Sequence, residues 1–340
     1  MLKITAALLA LILTGVTGQP AARLLDIYWI DVEGGASTLI VTAQGQSLLM
    51  DSGYEGLNDR DPGRIEKVAR EEAGIRRLDY MVTSHFHADH VGGLASVASR
   101  FTVAAFADHG ESVEQDTAAG HALFLEYLAV AGRHRRVVKP GDKLALKGID
   151  VTIVAANGQV LKTPLAKGTA NPSCATFETR PDDAGENGRS VGYLLRAGAF
   201  EFLDLGDLSW NFQKQLVCPM NLLGPVDIAQ APHHAVRDDV LPQLMSAITP
   251  TAVVINNGPV KGGGPVAIDA VLKSPGLESL WSLHRVIAND AAHNAPEPQT
   301  ANVGVTENCP GAWIRARLSS DGTYTITNSR NSFSKTYRVK

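Results

Sequence analysis

The chain repeats one grammar twice. In its first half, apolar β-rich runs at residues 24–32, 37–42, 47–50 and 78–83 are punctuated by Gly and Asp, with an amphipathic stretch at 61–70 between the third and fourth. In that stretch Ile65, Val68 and Ala69 fall at helical spacing and acidic residues precede basic ones, which predicts a helix laid over a sheet. A second helix is expected at 118–130, where Leu123, Phe124, Tyr127 and Leu128 share a face, followed by strands at 137–138, 144–146 and 151–155. The second half runs strand 190–196, strand 200–205, helix 208–217, strand 226–231, helix 238–248 and strand 252–256. It closes in a hairpin, 313–318 and 323–328, turning at Ser320-Asp321-Gly322. Sheets with helices segregated outside them predict a layered α/β sandwich. Residues 157–189 are too rich in Gly, Pro, Asn and Asp for a core and read as a long loop, of the kind that covers a site.

At 340 residues and 44% hydrophobic content the chain can bury a sizeable core, as one large domain or two fused halves. A net charge of -4 offers no long-range attraction for nucleic acid. The first residues, Met1-Leu2-Lys3, then an apolar run from Ile4 to Val16, then small and polar residues around Gly18, have the order of a secretory leader. Cleavage is expected after Gly18, with Ala22 as the other candidate. The run is shorter than the roughly 20 residues of a membrane span, so an exported chain, periplasmic or extracellular, with no span in its mature part is expected. Three widely spaced cysteines, Cys174, Cys218 and Cys309, show no metal or redox pairing pattern. In an oxidising compartment one pair can bridge, and the sequence leaves open which.

The chemistry concentrates at His85-Phe86-His87-Ala88-Asp89-His90, directly after the strand ending at Thr83 and before the helix-opening Val91-Gly92-Gly93-Leu94. Neutral imidazoles and a carboxylate are the ligands zinc prefers, and a strand-end loop can aim alternate side chains at two neighbouring metals. Asp207 and His233 each close an apolar strand of the second half, where such sheets present their sites. Asp207 can also be read as a helix N-cap before Leu208. Between His233 and His234, the first lies nearer its strand and is favoured. His109, His121 and His134 read as structural, and Arg133-His134-Arg135-Arg136 reads as solvated helix-end charge, with phosphate binding as the other possibility.

These residues resemble the His-x-His-x-Asp-His signature of the metallo-β-lactamase superfamily. Met50-Asp51-Ser52-Gly53 resembles its early strand-end aspartate, Leu205-Gly206-Asp207 its Gly-Asp motif, and Pro232-His233-His234 its late histidine. The resemblance spans roughly 26–328 and implies a four-layer αββα sandwich, with residues 1–18 as leader and 19–340 as one hydrolase domain. It puts His85 and His87 on one metal, Asp89, His90 and His233 on a second, and Asp207 between them. Asp51 would support the site by hydrogen bonds, and His234 would touch substrate or the residues behind the ligands. Many members carry another histidine before the Gly-Asp motif; here Glu186-Asn187-Gly188-Arg189-Ser190 stands there. That replacement, the double histidine and the turn Asp31-Val32-Glu33-Gly34-Gly35 are similar to the hydrolase domain of competence-type DNA-uptake proteins. In that branch Glu33 is a departure from glycine, and Ala235-Val236 a departure from Gly-Ser. Asn187 can complete the first metal's shell through its amide oxygen, or simply make a turn.

The resemblance implies an exported hydrolase that uses metal-activated water, with one or two zinc ions or manganese, and with Asp89 holding a metal and orienting the water. A phosphodiester or similar small ester substrate is expected. The alternatives are a lactone, β-lactam or carboxylic-ester hydrolase on the same site, or a metal-binding accessory protein without turnover. No serine-hydrolase elbow or phosphate-cradling loop competes with this reading, since Gly262-Gly263-Gly264 lacks the latter's pattern.

Overall fold

Residues 21–165, 167–304 and 309–340 are described by a computed structural model of the chain. The leader expected over residues 1–18 lies outside them. Two large mixed sheets carry the fold. The first runs, edge to edge, through strands 334–338, 323–328, 314–319, 23–29, 38–42, 47–50, 77–82, 102–108 and 135–137. The second runs through 300–302, 279–284, 252–255, 228–230, 200–204, 192–197, 149–156 and 143–146, with 159–160 paired to 149–156.

Strand alternation explains the layering. In Arg23–Trp29, Leu25, Ile27 and Trp29 point into a cluster shared with Val151, Tyr193, Phe202 and Trp281 of the second sheet, so the two sheets face each other across a dry core. The intervening Tyr28 joins the opposite face, where Ile65, Leu94, Val97, Phe124 and Tyr127 of three helices cover the first sheet. The second sheet's outer face is covered by Leu216, Leu244 and Ile268, one from each of the helices Trp210–Val217, Pro242–Ile248 and Pro265–Leu272. The result is the expected four-layer αββα sandwich.

Strands 47–50, 77–82, 102–108 and 135–137 are parallel neighbours, as are 200–204, 228–230, 252–255, 279–284 and 300–302. Their carboxyl ends therefore share an edge, which is where open α/β sheets present their sites.

The sequence-based boundaries require amendment. Strands 102–108, 279–284, 300–302 and 334–338 and the helix Pro265–Leu272 have no counterpart in the expectations above. The helix expected over 238–248 spans Pro242–Ile248, since Pro242 suits the first helical turn and the segment before it is a loop. The long loop holds only short elements and is tied down by a disulfide between Cys174 and Cys218, which leaves Cys309 free. Among the described residues no helix is long and apolar enough to cross a membrane.

Candidate metal centre

Asp51, directly after strand 47–50, adopts left-handed backbone (φ 63°), which turns its carboxylate back across the sheet edge. Its Oδ1 accepts the Ser84 N–H at 2.7 Å, and its Oδ2 accepts the Ser84 hydroxyl at 2.7 Å and the His90 Nδ1–H at 2.8 Å. Ser84 in turn accepts from His85 Nδ1 at 3.0 Å. One carboxylate thereby sets the tautomers of two imidazoles and points both Nε2 atoms outward.

His87 is the N-cap of the short helix Ala88–Val91, and this helix places Asp89 and His90 on the side facing the second sheet. There they meet Asp207, carried beyond strand 200–204 by Gly206, and His234, carried beyond strand 228–230. His90 Nε2 lies 3.1 Å from His234 Nε2, 3.2 Å from Asp89 Oδ2 and 3.2 Å from Asp207 Oδ2. His234 Nε2 is 3.3 Å from each of the same two carboxylate oxygens. Ligand atoms from all four residues fall within 4.8 Å of one another, and all four side chains are buried.

The hydrogen-bond donors of the two rings are already committed on the side away from the cluster. His90 donates its Nδ1–H to Asp51, and His234 donates its own to the Asn256 carbonyl at 3.1 Å. Neutral rings then present bare lone pairs at both Nε2 atoms, aimed at each other and at two carboxylates. Such contacts repel in a buried site. One proton relieves one of them, whereas a divalent cation relieves all, so the donor set fits a metal. The electrostatics carry the same demand. Burial opposes charging His90, yet Asp207, Asp89 and Asp51 push its pKa well above the ordinary imidazole value. Burial likewise opposes ionising Asp207, yet His234 and His90 hold it well below the usual carboxylate range.

The remaining histidines of the loop face a second position. His85 Nε2 and His87 Nδ1 are 3.0 Å apart, and His87 Nε2 is 3.3 Å from Glu114 Oε1, which favours a bare Nδ1 on His87. Burial and the nearby His90 push His85 well below the ordinary imidazole value. Asn187 donates from Nδ2 toward His233 Nε2 at 3.3 Å, while its Oδ1 is buried with no protein partner.

The structure thus brings His85, His87, Asp89, His90 and Asp207 to one edge, with Asp51 behind them. It reverses the preference between the two late histidines. His233, His234 and Ala235 are all left-handed (φ 51°, 52° and 53°), so the turn Pro232–Ala235 drives His234 into the cluster and leaves His233 at its rim. His233 Nδ1 donates to Asp239 at 2.7 Å, and its Nε2 stands 3.6 Å from Asp207 Oδ2. The chain leaves extended geometry at Pro232, so proximity to the strand does not decide which ring enters the cluster. Gly262 explains part of this turn: a Cβ there would lie 2.5 Å from the His234 carbonyl, so the glycine run is a packing surface for the histidine turn.

Other residues escaped the sequence reading. Glu186 is fully buried and accepts from Phe86 N–H, His109 Nε2, Ser112 Oγ and Val113 N–H, which fastens the long loop to the middle of the histidine loop. Lys261 pairs with Asp89 Oδ2. With Tyr54 and Arg60 it lines a cleft of about 430 Å³ that has Leu57 and the 82% exposed Val260 at its rim. A lysine reaching a strand-end carboxylate from a distant Gly-rich loop leaves no spacing signal. His109, His121 and His134 stay outside both groups, His109 on Glu186 at 2.9 Å, and Arg135 is engaged by Asp108 rather than free for phosphate.

A family model described as "Metallo-beta-lactamase superfamily" matches residues 30–173. The match supports the metallo-β-lactamase superfamily. The chain is 30% identical over 108 residues to a coenzyme F420H2 oxidase of Methanothermobacter thermautotrophicus, covering 32% of this chain and 25% of that relative. Among solved structures, the metallo-β-lactamase fold protein YhfI of Bacillus subtilis is 10% identical with a TM-score of 0.47, covering 76% of this chain and 96% of that one. A metallo-β-lactamase of Cronobacter sakazakii with a HARLDQ motif is 15% identical with a TM-score of 0.33, covering 54% and 56%. The family match covers less than half of the chain, and together with the ligand cluster it supports a hydrolase-type function.

Proposed function

We propose that the chain is an exported, metal-dependent hydrolase acting on a phosphodiester or similar anionic ester. The observation that carries the reading is the convergence of Asp89, His90, Asp207 and His234, whose ligand atoms all lie buried within 4.8 Å of one another. These four would hold one ion, zinc by their chemistry and manganese as the alternative. His85 and His87, with Asn187 as the nearest spare acceptor, would hold a second, weaker one. Bound there, a divalent metal supplies Lewis acidity toward the ester and toward water.

The chain's own residues supply the rest. Asp89 fixes the direction from which water approaches, and Lys261 beside it attracts a negatively charged substrate while the Leu57–Val260 rim of the adjoining cleft accepts an apolar group; Arg60 in that cleft is held by Asp61. His233 is positioned to move a proton: with Nδ1–H on Asp239, its Nε2 is a bare acceptor at the edge of the cluster, shared with the Asn187 amide at 3.3 Å. Asn187 replacing a histidine supports the competence-type reading and with it the phosphodiester class. The expected leader, together with a disulfide stable in oxidising surroundings, supports export.

The test is hydrolysis of bis(p-nitrophenyl) phosphate by metal-loaded protein beside a panel of lactones, a β-lactam and carboxylic esters, each with and without chelator. Chelator-sensitive diester cleavage is expected. Turnover that survives chelation overturns the metal mechanism, and cleavage confined to the neutral esters overturns the substrate class.

A further inference from the structure

A second group of ligand-type side chains lies beside the first and takes no part in the chemistry above. Asp31 and Glu33, in the turn after the first strand, meet His284 at the end of strand 279–284 and Cys309 from the segment before strand 314–319. His284 Nε2 is 2.7 Å from Asp31 Oδ1 and 4.0 Å from Glu33 Oε2. Cys309 Sγ is 3.0 Å from Asp31 Oδ2 and 3.0 Å from Glu33 Oε1.

As a purely hydrogen-bonded network this group is incomplete. The single thiol proton of Cys309 can serve only one of two carboxylates. Glu33 Oε2 has no partner although the side chain is only 4% exposed and the atom is aimed at His284. The Arg64 guanidinium pairs with Asp31 at 3.0 Å and Glu33 at 3.2 Å. With a neutral thiol and imidazole, two carboxylates against one guanidinium leave a buried negative charge, which is costly. A divalent cation, together with the thiolate formed as Cys309 releases its proton to water, brings the whole group to neutrality. Glu33 also occupies a left-handed backbone position (φ 54°), where glycine would be free of strain. Its side chain therefore offsets a conformational cost.

We propose that Asp31, Glu33, His284 and Cys309 form a structural zinc site, distinct from the hydrolytic centre. Sulfur, nitrogen and carboxylate oxygen are the zinc donor set, and four protein ligands without an open position suit a structural ion. Such an ion would staple three distant chain segments. Through Ala36 N–H, which donates to the Asp89 carbonyl at 3.1 Å, it would also steady the backbone of the neighbouring loop.

With the Cys174–Cys218 bridge intact, Cys309 is the chain's one thiol, so any metal–sulfur signal reports on this site alone. X-ray absorption of the zinc-loaded protein should show one sulfur at about 2.3 Å. Cobalt(II) should give a near-ultraviolet sulfur-to-metal band that Cys309→Ser abolishes and His90→Ala retains. In the unaltered chain, zinc should protect the thiol from a disulfide reagent and chelation should expose it, which decides the matter even where a variant does not fold. A zinc-saturated protein with no sulfur neighbour, or a thiol whose reactivity ignores zinc, overturns the proposal, whatever the hydrolytic assays show.

Discussion

Replacing Glu186 by Gln should loosen the histidine loop without touching a single proposed ligand. The carboxylate takes four hydrogen bonds, two on each oxygen: Ser112 Oγ at 2.8 Å and Val113 N–H at 2.7 Å on Oε1, Phe86 N–H at 2.9 Å and His109 Nε2 at 2.9 Å on Oε2. An amide keeps one acceptor oxygen and turns an NH2 toward the other pair. Ser112 can rotate to accept from it, but the Val113 N–H is then left buried and unpaired, at a cost of about 1–3 kcal/mol. The surviving bonds lose their charge assistance, roughly 1 kcal/mol each, so a total near 4 kcal/mol is expected. Urea denaturation of Glu186→Gln beside the parent measures it. Because the Phe86 amide sits between His85 and His87, affinity for a second metal equivalent should fall more than for the first. The pH dependence has a definite sign. Burial opposes ionisation, but the His109 hydrogen bond and charge and the Phe86 and Val113 amides hold the carboxyl down at about 2 against an ordinary 4.5. The parent's advantage should therefore be full above pH 4.5 and shrink as pH falls toward 2. A variant within about 0.5 kcal/mol of the parent at neutral pH, with unchanged metal binding, refutes this account of the loop.

Three further outcomes follow from the geometry. His234→Ala should lose tightly bound metal, whereas His233→Ala should keep it and lose turnover; metal analysis beside kinetics reads both, and equal metal loss in the two would restore His233 as a ligand. Asp51→Asn, which unsettles the His90 tautomer, should weaken metal binding about 10- to 100-fold in chelator competition. Opening the Cys174–Cys218 bridge by a double Ser substitution should cost up to about 4 kcal/mol for a separation of 44 residues, seen in denaturation under non-reducing conditions.

The parts of this molecule that could be read from its sequence are those where chemistry and spacing coincide within one short segment. The histidine loop has that property, because His85, His87, Asp89 and His90 lie within six residues at a strand's end. Apolar β-rich runs punctuated by Gly and Asp, such as 24–32, point to the sandwich for the same reason. What escaped was of two kinds. Glu186, Lys261 and Ser84 act on partners brought near by topology: Glu186 lies 100 residues from Phe86, and Lys261 lies 172 from Asp89. An isolated acid in a Gly- and Asp-rich loop looks solvated until the fold closes around it. The other kind is conformational. The choice between His233 and His234 turns on three successive left-handed residues, which reverse the inward and outward sense that a strand would have given. The site is therefore specified at two levels. Local order supplies the ligands, and backbone strain at Asp51 and at the late histidine turn decides which of them face one another. That strain persists because buried partners hold it, Ser84 and His90 on the Asp51 carboxylate and the Asn256 carbonyl on His234, which places part of the centre's stability behind the ligands rather than in them.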